Sequence, residues 1–125
     1  MAFDGKRVII TAGAGGIGRE ITKLFVEAGA KVFICDIDEQ ALERTLSSYD
    51  NVSGMRVDVS DADQFQSFFK KADQYLGGLD IMINNAGTAG PTAPIEDISL
   101  EEWNACVNIN LTSAFIGTQQ SIPRI

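Results

Sequence analysis

The chain has 125 residues, 45% hydrophobic and 22% charged, proportions that suit one globular domain and exclude a disordered or fibrous polymer. Ten Lys and Arg against seventeen Asp and Glu leave a formal charge of -7, which disfavours nucleic acid and anionic membrane surfaces as partners but leaves small anions free to bind local backbone N–H groups. With no His and only Cys35 and Cys106, the composition predicts no metal site and excludes a His-dependent hydrolase triad.

The first residues, Met1 to Lys6, lack the apolar core of a signal peptide, and no apolar run approaches the roughly 18 residues of a membrane span. The expected location is cytoplasmic. A first strand is predicted over Val8 to Thr11, followed at once by Ala12-Gly13-Ala14-Gly15-Gly16-Ile17-Gly18 and a helix. Ile17, Ile21, Leu24, Phe25 and Ala28 mark the apolar stripe of that helix, and Gly29 marks its stop. A second strand follows over Val32 to Cys35. Asp38 is placed to cap a helix through Ala41, Leu42 and Leu46. The third strand is predicted over Met55 to Val57, and the third helix starts at Ser60 or Asp61 and carries Phe65, Phe68, Phe69 and Ala72. The fourth strand is Ile81 to Ile83. An irregular loop from Ala86 to Ile98 holds Pro91 and Pro94 and reads as functional. Ser99-Leu100-Glu101-Glu102 is a capping box that opens a last helix through Trp103, Val107, Leu111 and Phe115 towards Pro123.

Strands apolar on both faces, alternating with helices, predict successive right-handed parallel crossovers. The expected fold is a Rossmann-type doubly wound parallel sheet in three α/β/α layers, N-terminal half only, with strand order 3-2-1-4. Glycines in the first turn permit a tight bend and close approach of a pyrophosphate to the N–H groups that open the helix. Asp36, eighteen residues beyond Gly18 at the end of the second strand, answers that loop as an acceptor for the adenosine ribose. A carboxylate there repels the extra phosphate of NADP, and neither Gly15 nor Ile37 offers a compensating cation, so NAD is the preferred cofactor over NADP. Arg19 is the nearby cation that bears on this preference.

The glycine loop, Asp36, Asp58-Val59, Asn84-Asn85-Ala86-Gly87 and Val107-Asn108-Ile109-Asn110-Leu111 together resemble the short-chain dehydrogenase/reductase family over nearly the whole chain. The resemblance implies cofactor contacts from Thr11, Gly13, Ala14, Gly16, Ile17, Gly18, Asp36, Ile37, Asp58, Val59, Asn85, Ala86 and Gly87, with Asn110 at the position of a catalytic Asn. It also implies hydride transfer between nicotinamide and a small alcohol or carbonyl substrate, with a homo-oligomer, dimer or tetramer, as the full-length state. The family's Thr-Gly-x-x-x-Gly-x-Gly pattern places Ala12 where a Gly stands, which predicts a turn shifted towards Gly13. Its Tyr, a Lys four residues later, and its Ser are not matched: Tyr49 and Tyr75 are followed at that spacing by Ser53 and Leu79, and Ser121 falls too early. Residues 1–125 are therefore expected to be a cofactor-binding domain truncated before the Ser and Tyr-x-x-x-Lys segment, and inactive alone. The alternative is a noncatalytic nucleotide-binding or interaction module.

Overall fold

The computed structural model describes residues 1–125. Four parallel strands, β1 (Arg7–Thr11), β2 (Lys31–Asp36), β3 (Val52–Arg56) and β4 (Ile81–Ile83), form one sheet in the order β3-β2-β1-β4. Helices α1 (Gly16–Glu27), α2 (Glu39–Ser48) and α3 (Ala62–Leu76) make the crossovers. After β4 the chain runs irregularly, with a short 3-10 turn at Ile95–Asp97, into α4 (Leu100–Val107), a π turn (Asn108–Thr112) and α5 (Ser113–Ser121). The predicted strand order and alternation are both observed.

Val8, Ile10, Val32 and Ile34 pack on one face against Val26, Ala41 and Leu42, whereas Ile9, Phe33 and Cys35 pack on the other against Phe65, Phe68, Phe69 and Ala72. Each face of the sheet therefore has its own helical layer, and β1 and β2 are apolar at successive positions because both faces are covered. The caps are those read from the sequence: Asp38 accepts the Ala41 N–H at 3.0 Å, Asp61 accepts the Gln64 N–H at 3.1 Å, and Ser99 and Glu102 close a reciprocal box at 3.0 and 3.1 Å. Gly29, at φ 93°, ends α1 in the left-handed conformation that an L side chain resists. No helix of the structure is long and apolar enough to cross a membrane.

Three elements differ from expectation. The buried line of α1 is Gly18, Thr22 and Val26, while Ile17 and Leu24 are exposed. This helix lies so close to the sheet that small residues face it, and Thr22 Oγ1 contacts the Gly13 and Gly18 carbonyls at 2.8 and 2.9 Å. β3 begins at Val52, because Ser53 and Gly54 continue the ladder despite their weak strand propensity. A Cβ at Gly54 would lie 2.3 Å from the Ile34 carbonyl oxygen, so the strand needs glycine there. The last helix is interrupted by the π turn, where Asn110 Nδ2 donates to the Cys106 carbonyl at 2.9 Å and competes with the backbone for the acceptor four residues back.

Arg7 and Asp80 tie the starts of β1 and β4 together. Arg7 Nε donates to Asp80 at 3.0 Å, and so does the Arg7 backbone N–H at 2.9 Å. These bonds hold the Asp80 carboxyl at about 2, below its usual range. A folded-state pKa depressed in this way contributes stability that is fully present above the unfolded carboxylate value, about 4, and is lost as pH falls through about 2. The denaturation midpoint of the wild type should therefore fall between about pH 4 and pH 2 more steeply than that of Asp80→Asn, and parallel urea titrations would show it. Parallel slopes for the two proteins would assign the acid sensitivity elsewhere.

Candidate functional site

At the carboxyl ends of the strands, β1 turns sharply into α1. Ala12 takes φ 52° and is the only non-glycine residue in the left-handed region. The expected shift of the turn to Gly13 is not found: the bend stays at Ala12, whose carbonyl is fixed by Asn85 Nδ2 at 3.3 Å and covered by Gly18. Gly16, at φ 52°, supplies the second left-handed residue, at the first position of α1. Gly15 is the N-cap and has no side chain to satisfy the first N–H groups of the helix, which suits a site for an anion.

The loop glycines serve different ends. A Cβ at Gly18 would lie 1.8 Å from the Ala12 carbonyl oxygen, and one at Gly13 would lie 2.6 Å from an Ile34 methyl, so both glycines are demanded by packing. A Cβ at Gly15 would meet nothing within 4 Å, and neither its neighbours nor its φ of -142° requires glycine.

Asp36, the last residue of β2, accepts the Ala14 N–H at 3.1 Å on one carboxylate oxygen and the Asp38 N–H at 3.0 Å on the other. Each oxygen retains capacity for a further donor. Asp58 holds Ser60 through its N–H at 3.0 Å and its hydroxyl at 2.6 Å. A cavity of about 210 Å³ lies between these acids and brings together Asp36, Ile37, Asp58, Val59, Ala86 and Gly87 from the residues marked in the sequence. It adds Ala12, Cys35, Val57, Thr88 and Ile109, which were not marked as cofactor contacts. Burial pushes the Cys35 thiol up to about 12, so this sulfur is a packing group at neutral pH.

The remaining marked residues stand around the cavity without lining it. Thr11 Oγ1 accepts the N–H groups of Asn85 and Ala86 at 3.0 and 2.9 Å, which joins β1 to the loop after β4. Asn85 returns the contact by donating to the Thr11 carbonyl at 3.2 Å. Gly13, Ala14, Gly16 and Gly18 form the turn, and Ile17 is exposed in the first turn of α1. Asn110 uses its side-chain amide as a clasp, accepting the Thr88 N–H at 3.1 Å and donating to the Thr88 carbonyl at 2.9 Å. Arg19 reaches Ser48 at 3.4 Å, in a separate polar cleft between α1 and α2.

A glycine turn feeding a helix, with an acid at the end of the neighbouring parallel strand and a cleft across the carboxyl edge, defines a Rossmann-type α/β half-domain. The short chain dehydrogenase family model matches residues 6–125, and the chain belongs to this family. It is 35% identical over 122 residues to 3beta-hydroxysteroid dehydrogenase 2 of Eggerthella lenta, covering 94% of this chain and 47% of that one. It is also 35% identical to the 2,5-dichloro-2,5-cyclohexadiene-1,4-diol dehydrogenase of Sphingobium indicum over 125 residues, 97% of this chain and 50% of that one. Among solved structures, a doubly substituted short-chain dehydrogenase/reductase of Serratia marcescens superposes with a TM-score of 0.93 at 25% identity, covering 100% of this chain and 53% of its own. The chain thus spans about half the length of the relatives it matches.

Proposed function

We propose that this chain is the dinucleotide-binding half of an NAD-dependent dehydrogenase that interconverts a small alcohol and its carbonyl. The observation that carries this reading is the pair of open acceptor positions on Asp36, at the rim of a cavity that also holds Asp58. Two vicinal ribose hydroxyls suit such a carboxylate, and a phosphate on one of them is repelled by it. Arg19, turned into its own cleft with Ser48, does not line the Asp36 cavity. Gly15 supports the same reading, because a missing side chain that neither packing nor φ demands leaves room for a pyrophosphate against the N–H groups of α1.

The bound nicotinamide would supply the hydride acceptor. This chain's part is to hold the adenosine side and to keep the loop after β4 in place. Within that scheme Asn110 is a positioning residue, because both ends of its amide are spent on Thr88. The groups that move the proton in such a reaction, a Ser and a Tyr-x-x-x-Lys pair, belong in this reading to a segment following residue 125. The exposed apolar row of Leu100, Trp103, Leu111 and Phe115 suits self-association in the full-length protein.

Titration calorimetry with NAD and NADP tests the cofactor. NAD should bind about tenfold or more tightly than NADP, and Asp36→Ala should narrow that ratio by about tenfold, the equivalent of one hydrogen bond to a charged group. Equal affinities in the wild type would remove Asp36 from its assigned role.

A further inference from the structure

Ala12 occupies a position whose conformation favours glycine. Its φ of 52° lies in the left-handed region, where the Cβ of an L residue crowds the following carbonyl oxygen. The bend cannot relax to a neighbour. Gly13 is pressed against Ile34, its N–H donates to the Cys35 carbonyl at 3.0 Å, and the Ala12 carbonyl is held by Asn85 Nδ2 and by the close approach of Gly18. The strain is therefore carried by three elements at once: the end of β2, the start of α1 and the loop after β4.

Ala12 also lines the cavity that contains Asp36 and Asp58. Its carbonyl is taken up by Gly18 and Asn85, so the cavity is lined by the rest of the residue, the methyl included. Beside it stand Ala86 and Gly87, and Gly87 is as small as it is because a Cβ there would lie 2.7 Å from Asn110 Oδ1. The wall nearest the glycine turn is thus built for close approach, and Ala12 is the member of it that carries a strained methyl. Resting on the dinucleotide reading above, we infer that Ala12 limits the affinity of this chain for the ADP-ribose portion of its cofactor, trading tight binding for a shallower cavity.

The inference separates two effects that one substitution combines. Ala12→Gly removes both the strain and the methyl; Ala12→Ser keeps the strain and adds one atom on the cavity side. In urea titrations, Ala12→Gly should raise the folded-to-unfolded ratio about fivefold, the net of relieved left-handed strain and added chain entropy. Ala12→Ser should stay near the wild type. Calorimetry of the 125-residue chain with NAD and with ADP-ribose should then show dissociation constants about fourfold lower for Ala12→Gly, the scale of one methyl group, and higher for Ala12→Ser. Binding detected only in Ala12→Gly would support the inference most directly. A more stable Ala12→Gly that binds both ligands no better than the wild type would overturn it and leave the dinucleotide reading standing. If none of the three proteins binds NAD or ADP-ribose, the reading falls and the inference falls with it.

Discussion

Gly18→Ala should destabilise the fold by about 2–3 kcal/mol, the upper part of the range for forcing an extra group into a packed site. The added Cβ would lie 1.8 Å from the Ala12 carbonyl oxygen and 2.6 Å from Asn85 Nδ2. Neither atom can yield cheaply: the first belongs to a strained main-chain turn, and the second is hydrogen-bonded to the Thr11 and Ala12 carbonyls at 3.2 and 3.3 Å. Moving α1 away would open the packing of Thr22 and Val26 against the sheet. Gly15→Ala is the matching control, because its methyl meets nothing within 4 Å. It should cost at most about 1 kcal/mol, through the weaker N-cap preference of Ala. Urea denaturation of the two variants beside the wild type checks the contrast. If Gly18→Ala were as stable as Gly15→Ala, the close approach of α1 to the turn would not be a constraint on this fold. The same pair separates folding from binding, since Gly15→Ala should fold well and bind a dinucleotide poorly.

The architecture was legible because local signals agreed with one another. Asp38, Asp61 and Ser99 cap helices where their spacing to the next apolar run said they should, and β1 and β2, which read as apolar on both faces, are covered on both faces, whereas β3 and β4 are only partly covered. The errors fall where a tertiary contact overrode a local preference. Ile21 and Phe25 of the visible stripe do pack against the core, but Ile17 and Leu24 are exposed, and the closest contact with the sheet is made by Gly18 and Thr22, which carry no hydrophobic signal, together with Val26. Gly54 reads as a strand breaker, yet β3 runs through it because the Ile34 backbone lies too close for any side chain. The π turn at Asn108–Thr112 depends on how the Asn110 amide divides itself between Cys106 and Thr88, and Thr88 is distant in sequence.

The site was legible in its acids and obscure in its walls. Asp36 stands out because it ends an apolar run with a charge and Asp58 because it directly follows the third strand segment, and both line the cavity. Thr88 and Ile109 line the same cavity from a loop and a helix that meet only in three dimensions; each lies in a segment that the sequence singles out, but nothing marks either residue individually as a lining group. Thr11 was marked as a member of the loop but its work was not visible. Its partners, the N–H groups of Asn85 and Ala86, lie more than seventy positions away in the chain.

Those partners make Thr11→Val the more informative of two nearly isosteric changes at the end of β1. Thr11 is 2% exposed, and its single hydroxyl oxygen accepts two backbone N–H groups at 3.0 and 2.9 Å. Valine fills the same volume, so no cavity is created, but both half-buried donors lose their acceptor. Leaving a buried donor unpaired costs about 1–3 kcal/mol, and with two of them half-buried the expected loss is about 2–4 kcal/mol. Thr11→Ser keeps the oxygen and deletes a methyl, which should cost only about 1 kcal/mol. The order wild type, Ser, Val in denaturation midpoint would assign the loss to the hydrogen bonds, whereas the order wild type, Val, Ser would assign it to packing. Hydrogen exchange supplies the local readout. The Asn85 and Ala86 amides should exchange faster in Thr11→Val and keep their protection in Thr11→Ser, because the hydroxyl alone holds them. Since Ala86 and Gly87 form the cavity wall beside Ala12, loosening that loop should weaken dinucleotide binding in the Val variant even where the protein remains folded.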